Sequence, residues 1–221
     1  MQSAECRFEI LMDPLLLDIP ACLRTARLGL RLPRAGEGPA LNAAVCESIE
    51  QLKLWMPWAR KPPTLEESEI RCRKVIGNFY SRFGDLSWHM HLGGDDGPFV
   101  GCVGIHDVKW DVPCCEIGYW LHSAHAGRGY MTEAVVCLTR MLFETLKAVR
   151  VEIRMDDRNE RSWRVAERAG FALDGILRNN ARTPEGELRD SRVYSRVQNY
   201  PDSQDLPSMA VGGDRKGPSS P

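Results

Sequence analysis

The sequence predicts an α+β or α/β domain built around a mixed β-sheet. Segments in which apolar residues alternate with polar ones recur along the chain, and segments with apolar residues at helical spacing lie between them. At residues 115–121 an apolar strand pattern leads through a glycine-bearing loop into a long amphipathic run that ends near Lys147. With 221 residues the chain suits one domain plus appendages, and such a domain buries about two-thirds of its unfolded surface.

The first half of the chain contains two predicted strands and two predicted helices. Residues 28–32 have a strand pattern and residues 39–54 a helical one. Thr64 is expected to cap the second helix, because Glu67 three residues later completes a capping box. That helix keeps its apolar residues at helical spacing: Cys72, Val75, Ile76, Phe79 and Phe83. The next strand alternates, with Leu86, Trp88, Met90 and Leu92 on one side and Ser87, His89 and His91 on the other.

The second half continues the alternation of strands and helices. In chain order the sequence predicts strands at 99–105 and 114–121, a helix at 129–146, a strand at 149–155, a helix from Asn159 to Gly170, and a closing hairpin of 171–176 with 192–197. A turn near Trp110 joins the first two strands, and a loop at 184–186 joins the last two. These patterns give a mixed sheet with helices but do not select one arrangement of the strands.

Charge and cysteine usage exclude several classes of protein. The formal net charge of −1 argues against a dominant electrostatic attraction to nucleic acid or to an anionic membrane. The eight cysteines form no C-x-x-C pair and several fall inside apolar runs, so we expect reduced thiols in a cytoplasmic protein. No apolar stretch approaches the roughly 18 residues of a membrane span, and the N-terminus has no basic segment of the kind that starts a signal peptide.

The loop before the third predicted helix is the clearest candidate for ligand binding. Gly127 and Gly129 flank Arg128 and let the backbone turn tightly, with its N–H groups at the start of the helix. Those N–H groups lack helical partners and the helix dipole favours an anion, so the loop suits a phosphate or pyrophosphate. A tight turn without a ligand remains an alternative. So does a dinucleotide-binding loop, although this chain lacks its third glycine and an N-terminal βαβ unit. His122 and His125, just before the loop, are solvated residues or phosphate contacts.

A second block, residues 156–171, follows that helix and contains Asn159 with Ser162 and Ala169-Gly-Phe171. Before the helix come the strand at 116–121 and the loop at 126–131, which is followed by Thr-Glu-Ala. Together these segments resemble the GNAT acetyltransferase superfamily, which moves an acetyl group from acetyl-CoA to an amine. Within it they resemble the RimJ/RimL type, which acetylates the N-termini of ribosomal proteins. Residues 24–31 look like the first strand of the family, and 55–58 like the segment after its first helix.

The resemblance extends from about Leu23 to Val197 and carries an expected fold. It implies an α+β, three-layer GNAT-like domain in which a central mixed, mostly antiparallel sheet is splayed at the CoA site and flanked by about four helices. We therefore assign 23–198 to the domain and 1–22 to an N-terminal extension that can pack on the domain or on a second subunit. Residues 199–221 are rich in Pro, Ser, Gly and Asp and are predicted to be a disordered tail.

Acetyl-CoA is the cosubstrate that the resemblance implies, with no metal. The pantetheine arm and the thioester carbonyl would meet main-chain groups of Tyr119, Trp120 and Leu121. The pyrophosphate would be held by amides of the loop, namely those of Gly127, Arg128, Gly129, Tyr130, Met131 and Thr132. Asn159 matches the family Asn that hydrogen-bonds the CoA arm, and it also suits a helix N-cap without any ligand.

Glu116 and Ser162 are the candidate catalytic residues. Burial on an interior strand would raise the pKa of Glu116, which suits a general base near neutral pH. The alternative for Glu116 is a structural ion pair with an arginine. Ser162 matches the position that is proposed in this branch to protonate the leaving thiolate. Its alternative is a hydroxyl bonded to the backbone of the first helical turn.

Trp55, Trp58 and His89 are the candidate acceptor-binding residues. The tryptophans suit the core or a pocket wall, where each would shape the acceptor site. His89 and His91 share one strand face, but the sequence offers no third metal ligand beside them, so a polar sheet face or the acceptor pocket is favoured.

The sequence does not identify the acceptor of the acetyl group. An amine-bearing small molecule and a protein N-terminus both fit, and the resemblance also suggests a homodimer. Ribosomal-type members can carry a catalytic Glu after the second block, where residues 179–181 of this chain read Asn-Asn-Ala. The alternative function is a non-catalytic CoA-binding sensor or regulatory module with the same fold.

Overall fold

Eight strands and four α-helices make up the fold, and the computed structural model describes residues 13–198 of it. The strands are β1 (Cys22–Arg24), β2 (Leu28–Arg31), β3 (Leu86–Leu92), β4 (Phe99–Lys109), β5 (Cys114–Leu121), β6 (Arg150–Asp156), β7 (Ala172–Arg182) and β8 (Leu188–Val197). The helices are α1 (Gly38–Leu52), α2 (Leu65–Ser81), α3 (Tyr130–Glu144) and α4 (Glu160–Arg168). The strands form one sheet in the order β1-β2-β3-β4-β5-β6-β8-β7.

The sheet is antiparallel except at one junction, where β5 and β6 run parallel. These two strands pair only from Cys114 with Arg150 to Glu116 with Glu152. Beyond Glu116, β5 stays paired with β4 as far as Leu121, while β6 stays paired with β8 as far as Asp156. The two halves of the sheet therefore separate at this point. This confirms the expected mixed, mostly antiparallel sheet with a splayed junction.

Different helices cover the two faces of the sheet. Apolar residues of α3, including Leu138 and Leu142, join Trp88 and Ile117 in the larger buried cluster. Residues of α1 and α2 form a smaller cluster, against which Phe99, Trp120, Ile49 and Met56 pack. Burial of apolar area in both clusters stabilises the domain at roughly 25 cal/mol per Å². With both faces covered, the sheet can hold a cavity between itself and α1–α2.

Several predicted boundaries are confirmed. β5 has the predicted bounds, and α3 begins directly after Gly129. The capping box of α2 is present, since Glu67 N donates to Thr64 Oγ1 at 3.1 Å and Thr64 N donates to Glu67 Oε2 at 2.7 Å. The closing hairpin is β7 with β8, although both strands are longer than predicted. None of the helices within residues 13–198 combines the length and the hydrophobicity that a membrane span requires.

The structure corrects two expectations. Residues 24–31 do not form one strand, because Thr25 makes a turn in which its Oγ1 accepts from Leu28 N at 2.9 Å, so β1 and β2 form a hairpin. Phe83 does not extend the apolar face of α2. The helix ends at Ser81, Arg82 adopts a left-handed conformation, and Phe83 is 81% exposed. The polar side of β3, with Ser87, His89 and His91, is buried.

The N-terminal extension is described only from Asp13. Leu15 and Leu16 are exposed, whereas Ile19 is buried in the larger cluster and Leu17 packs against it. Trp88 Nε1 donates to Pro20 O at 3.0 Å, which ties this segment to β3. The first twelve residues and the predicted tail at 199–221 lie outside the described residues.

Candidate active site

One cavity of about 630 Å³ brings together most of the predicted site residues. It lies on the face covered by α1 and α2 and reaches the junction where β5 and β6 separate. Its lining includes both catalytic candidates, all three acceptor candidates and three CoA candidates: Glu116, Ser162, Trp55, Trp58, His89, Tyr119, Trp120 and Asn159. Residues predicted from separate segments of the sequence thus share one space.

The loop that precedes α3 presents unpaired amides. Gly127 and Gly129 have φ angles of 78° and 79°, a left-handed conformation that glycine adopts without strain. Within residues 13–198, none of the amides from Gly127 to Thr132 donates a hydrogen bond to another protein group. Arg27 fixes the loop through two contacts. Its Nη1 donates to Arg128 O at 2.9 Å, and its Nε pairs with Glu133 Oε2 at 2.6 Å. The loop is therefore fixed while its donors remain available to an anion.

The end of β5 leaves a second row of main-chain groups unpaired. Tyr119, Trp120 and Leu121 pair with β4 on one side. On the other side β6 has already separated, so the main-chain groups there have no strand partner in the described chain. An extended ligand with amide groups fits such an edge, because it can add hydrogen bonds like those of a neighbouring strand.

Asn159 and Ser162 both lie at the start of α4. Asn159 Oδ1 accepts from Ser162 N at 3.2 Å, so the N-cap role is confirmed. The hydroxyl of Ser162 is not bonded to its own helix. It lies 3.1 Å from Tyr119 Oη, and Tyr119 donates to the main-chain carbonyl of Ser162 at 3.0 Å. Burial raises the pKa of Tyr119 to about 12, so its phenol keeps its proton at neutral pH.

Glu116 lies on β5 at the last residue that pairs with β6. Its nearest basic side chains are Arg154, with Nε at 3.6 Å, and His106, with Nε2 at 3.7 Å, and both distances exceed hydrogen-bond length. Arg154 instead bonds Glu152, through Nη2 at 2.7 Å. Burial raises the pKa of Glu116 and outweighs the opposing effects of His106 and Arg154. The ion pair with an arginine is present only in a loose form, and the carboxylate keeps lone pairs for a ligand.

The sequence analysis did not identify two side chains that line this cavity, those of His106 and Tyr119. Tyr119 was expected to contribute only main-chain groups, and its contact with Ser162 joins β5 to α4 across the fold. His106 lies opposite Glu116 in the pairing of β4 with β5. The sequence signal for His106 is its place in an extended segment, but its partner depends on the register of two strands.

The end of the cavity that contains the candidate acceptor residues is aromatic. The Trp58 and Trp120 rings meet edge to face with centroids 6.2 Å apart, and Phe99 packs edge to face on Trp120 at 5.8 Å. Trp58 is half exposed, whereas His89 is buried against Phe99 with ring centroids 4.9 Å apart. Burial lowers the pKa of His89 to about 3, so its imidazole is neutral at physiological pH.

Two side-chain clusters have the composition of a metal site. Glu37 lies beside His89 and His91, and His106, Asp107 and Glu116 form the second group; in each group the candidate ligand atoms lie within 4.8 Å of one another. The expectation that His89 and His91 lack a third ligand nearby is therefore wrong. Glu37, however, already accepts two hydrogen bonds from Arg31, at 2.6 and 2.9 Å.

The expectation of solvated histidines before the loop is also wrong for His122. This side chain is buried, and its Nε2 lies 2.9 Å from Glu47 Oε2 on α1. The ring of His125 lies beside it, with centroids 5.4 Å apart. The pair connects α1 to the segment that leads into the loop before α3.

Comparisons with known proteins match this architecture. "Probable N-acetyltransferase YjcK" of Bacillus subtilis is 34% identical over 136 residues, which are 60% of this chain and 74% of the relative. The "ribosomal-protein-serine acetyltransferase" of Escherichia coli is 27% identical over 147 residues, 66% of this chain and 80% of the relative. Mycobacterium smegmatis RimJ in complex with CoA-disulfide superposes with a TM-score of 0.71 at 23% identity, over 85% of this chain and 90% of that one.

A second solved structure and the family match lead to the same fold. RimL, a ribosomal L7/L12 alpha-N-protein acetyltransferase in complex with coenzyme A, superposes with a TM-score of 0.71 at 22% identity, over 81% of this chain and 97% of that one. The sequence profile of the acetyltransferase (GNAT) domain matches residues 27–172, about two-thirds of the chain. The protein belongs to the GNAT acetyltransferase family.

Proposed function

We propose that this protein is an acetyl-CoA-dependent N-acetyltransferase that moves the acetyl group to a primary amine by direct attack in a ternary complex. The observation that carries the proposal is the convergence of Glu116, Ser162 and Asn159 on one cavity at the splayed junction of β5 and β6. The names of its relatives, N-acetyltransferases of bacteria, support the same activity.

Acetyl-CoA fits the groups that the structure leaves unpaired. The amides from Gly127 to Thr132 would hold the pyrophosphate at the N-terminus of α3, where the helix dipole adds to their attraction. The free edge of Tyr119–Leu121 would hydrogen-bond the amides of the pantetheine arm, and Asn159 would contact the same arm. The bound thioester supplies an acyl carbon that an amine can attack, and the chain supplies its position and proton transfers.

Two proton transfers are assigned to protein side chains. Glu116 takes a proton from the acceptor ammonium, since only a neutral amine can attack a carbonyl. Its raised pKa brings the basicity of the carboxylate closer to that of the amine. At the other end of the step, Ser162 delivers a proton to the departing sulfur, with Tyr119 beside it as a second hydroxyl.

The acceptor is proposed only at the level of its chemistry. The tryptophans at 55, 58 and 120 and the neutral imidazole of His89 would surround the acceptor near its amine. A protein N-terminus is favoured by the E. coli relative named a ribosomal-protein-serine acetyltransferase. A small-molecule amine fits the same enclosed space. A cytoplasmic location and the absence of nucleic-acid partners remain predictions from composition.

The experiment that tests the proposal separates binding from turnover. Calorimetric titration with acetyl-CoA measures binding, and thiol release is followed with a panel of amines and peptides with free N-termini. Binding together with amine-dependent thiol release supports the enzyme. Tight CoA binding without turnover across the panel would favour the non-catalytic module, and retention of NAD instead of CoA would favour a dinucleotide-binding protein.

A further inference from the structure

We propose that His106 and Asp107 form a proton path from Glu116 to solvent, in which His106 acts as the relay residue. The inference rests on the proposed function, because it assumes that Glu116 takes a proton from the acceptor. Glu116 Oε1 lies 3.7 Å from His106 Nε2, and His106 Nδ1 lies 3.2 Å from Asp107 Oδ2. The side chains become steadily more exposed along this series, from 17% for Glu116 to 35% for His106 and 81% for Asp107.

The backbone at Asp107 is what brings its carboxylate onto the imidazole. Asp107 has a φ of 49°, a left-handed conformation that few residues other than glycine, asparagine and aspartate adopt. It lies where the pairing of β4 with β5 becomes irregular, between His106 and Lys109. Such irregularities commonly turn a side chain out of its regular direction in a sheet. Here two consecutive residues, His106 and Asp107, come to contact each other.

Gly118 leaves the space in which the imidazole lies. A Cβ atom placed on Gly118 would be 3.1 Å from His106 Nε2 and 3.2 Å from its Cδ2, closer than ordinary carbon contacts. The ring of His106 therefore lies over the main chain of β5, two residues from Glu116. Its Nε2 and the Glu116 carboxylate reach hydrogen-bond distance if the two side chains approach by about 0.8 Å.

Few charged groups lie near the His106 ring in the described residues. On β6, Arg154 and Glu152 pair with each other at 2.7 Å, and Arg154 Nε also lies 3.6 Å from Glu116 Oε2. Asp85, which precedes β3, lines the same cavity. Within 4 Å of the imidazole nitrogens, the described residues place two charged partners, Glu116 and Asp107.

The proposed step transfers one proton and no electrons. Glu116 takes the proton when an N–H bond of the acceptor ammonium breaks and an O–H bond forms. That O–H bond then breaks as His106 Nε2 binds the proton, and the N–H bond at Nδ1 breaks as Asp107 or a water molecule beside it accepts a proton. The starting tautomer carries its hydrogen on Nδ1, facing Asp107, and it is restored by exchange with water at the partly exposed ring.

Four variants test the path. His106→Gln removes the relay but keeps a polar side chain, and Asp107→Asn removes the charge that orients the ring. Gly118→Ala adds the single methyl group that crowds Nε2. Asp111→Asn is the matched control, because it neutralises an exposed carboxylate in the following turn. We expect kcat to fall about 10–100-fold in His106→Gln, and several-fold in Asp107→Asn and Gly118→Ala, with the KM for acetyl-CoA unchanged and the control like wild type.

Chemical rescue distinguishes a relay from a packing role. Added imidazole should restore part of kcat in His106→Gln but not in Glu116→Gln, because free imidazole can replace the relay and not the base. A His106→Gln variant with wild-type kcat across the pH range would overturn the path. So would a loss of kcat that imidazole fails to rescue, or a stoichiometric divalent metal that the wild-type protein binds and His106→Gln does not.

The tautomer of the neutral His106 ring can be determined by NMR without turnover. The path requires the ring hydrogen on Nδ1, facing Asp107. A wild-type ring that carries its hydrogen on Nε2 would overturn the path. Failure of the proposed function looks different: Glu116→Gln would then turn over like wild type, or wild type would turn over no amine, whatever tautomer His106 adopts.

Discussion

Tyr119 donates a hydrogen bond from its hydroxyl to the main-chain carbonyl of Ser162, at 3.0 Å, and the two hydroxyl oxygens lie 3.1 Å apart. This contact joins the free end of β5 to the first turn of α4, across the junction where the sheet opens. Because a carbonyl can only accept, the proton of Tyr119 points to it and the Ser162 hydroxyl donates to Tyr119. The hydroxyl of Ser162 is thus hydrogen-bonded to a tyrosine and not to its own helix.

The first prediction concerns this hydroxyl pair. Tyr119→Phe and Ser162→Ala should each lower kcat by about 10-fold or more, and the double variant should be little worse than the poorer single one, because the two groups act as a unit. Initial rates and CoA titrations of all three variants measure this. Tyr80→Phe, an exposed tyrosine on α2, is the control. Fully multiplicative losses in the double variant would show that the two hydroxyls act independently.

The second prediction concerns the loop before α3. Wild type should bind acetyl-CoA with micromolar affinity, on the order of −8 kcal/mol. Gly129→Asp and Gly129→Asn add side chains of nearly the same shape, and both residues tolerate the left-handed φ of 79° and the N-cap position. Only the Asp variant places a negative charge where the pyrophosphate would bind.

We therefore expect calorimetry to show at least about 10-fold weaker binding for Gly129→Asp than for Gly129→Asn, since like charges at short range repel by a kcal/mol or more. Raising the salt concentration should narrow the difference. Equal acetyl-CoA affinities in the two folded variants would show that the pyrophosphate does not bind at this loop.

The third prediction concerns the pH dependence of catalysis. Glu116 must be ionised to accept a proton, and burial raises its pKa above the ordinary value of 4.5. The rate should therefore fall on the acid side of a midpoint above 4.5, and Glu116→Gln should lower kcat by about 10²–10⁴ while removing that acid limb. A pH–rate profile measured in parallel with CoA binding checks both. An acid limb that persists in Glu116→Gln would assign it to another group.

Short-range sequence patterns predicted the strand, the loop and the helix starts of this site correctly. The bounds of β5 and the start of α3 follow from a strand pattern, a glycine loop and an amphipathic run, all within about 30 residues. The N-cap role of Asn159 and the capping box at Thr64 depend on neighbours three residues away. Signals of this range are visible without a fold, because they are set by the backbone of a single helical turn.

What the sequence did not reveal depends on register and tertiary contacts. His106 meets Glu116 only because β4 and β5 pair in one register, and Tyr119 meets Ser162 over 43 positions of sequence. The hairpin of β1 and β2 was missed because Thr25 makes its turn without the glycine or proline that usually marks one. The burial of β3 on both faces depends on where the helices dock, which no local pattern specifies.

The last prediction concerns acid stability and the ion pair of Arg31 with Glu37. Arg31 is 8% exposed and donates twice to Glu37, and Arg34 N donates to the same carboxylate at 2.8 Å. Burial alone would raise the pKa of Glu37, but these hydrogen bonds outweigh it and lower the pKa from 4.5 to about 2. The folded-state pKa is thus below the unfolded one. The stabilisation is fully present above about pH 4.5 and is lost as the pH falls towards about 2.

Glu37→Gln should therefore lower the free energy of unfolding at pH 7 by about 3 kcal/mol, the lower end for breaking a buried pair. The difference from wild type should shrink steadily between pH 4.5 and pH 3, because over this range the Glu37 carboxylate takes up a proton in the unfolded chain while it stays ionised in the folded wild type. Urea unfolding at pH 7, 5, 4 and 3 measures this. The control is Glu50→Gln, which breaks an exposed pair with Lys53 and should cost less than about 1 kcal/mol at every pH. A difference between Glu37→Gln and wild type that is as large at pH 3 as at pH 7 would mean that its cause is packing around Arg31 and not the charge of Glu37.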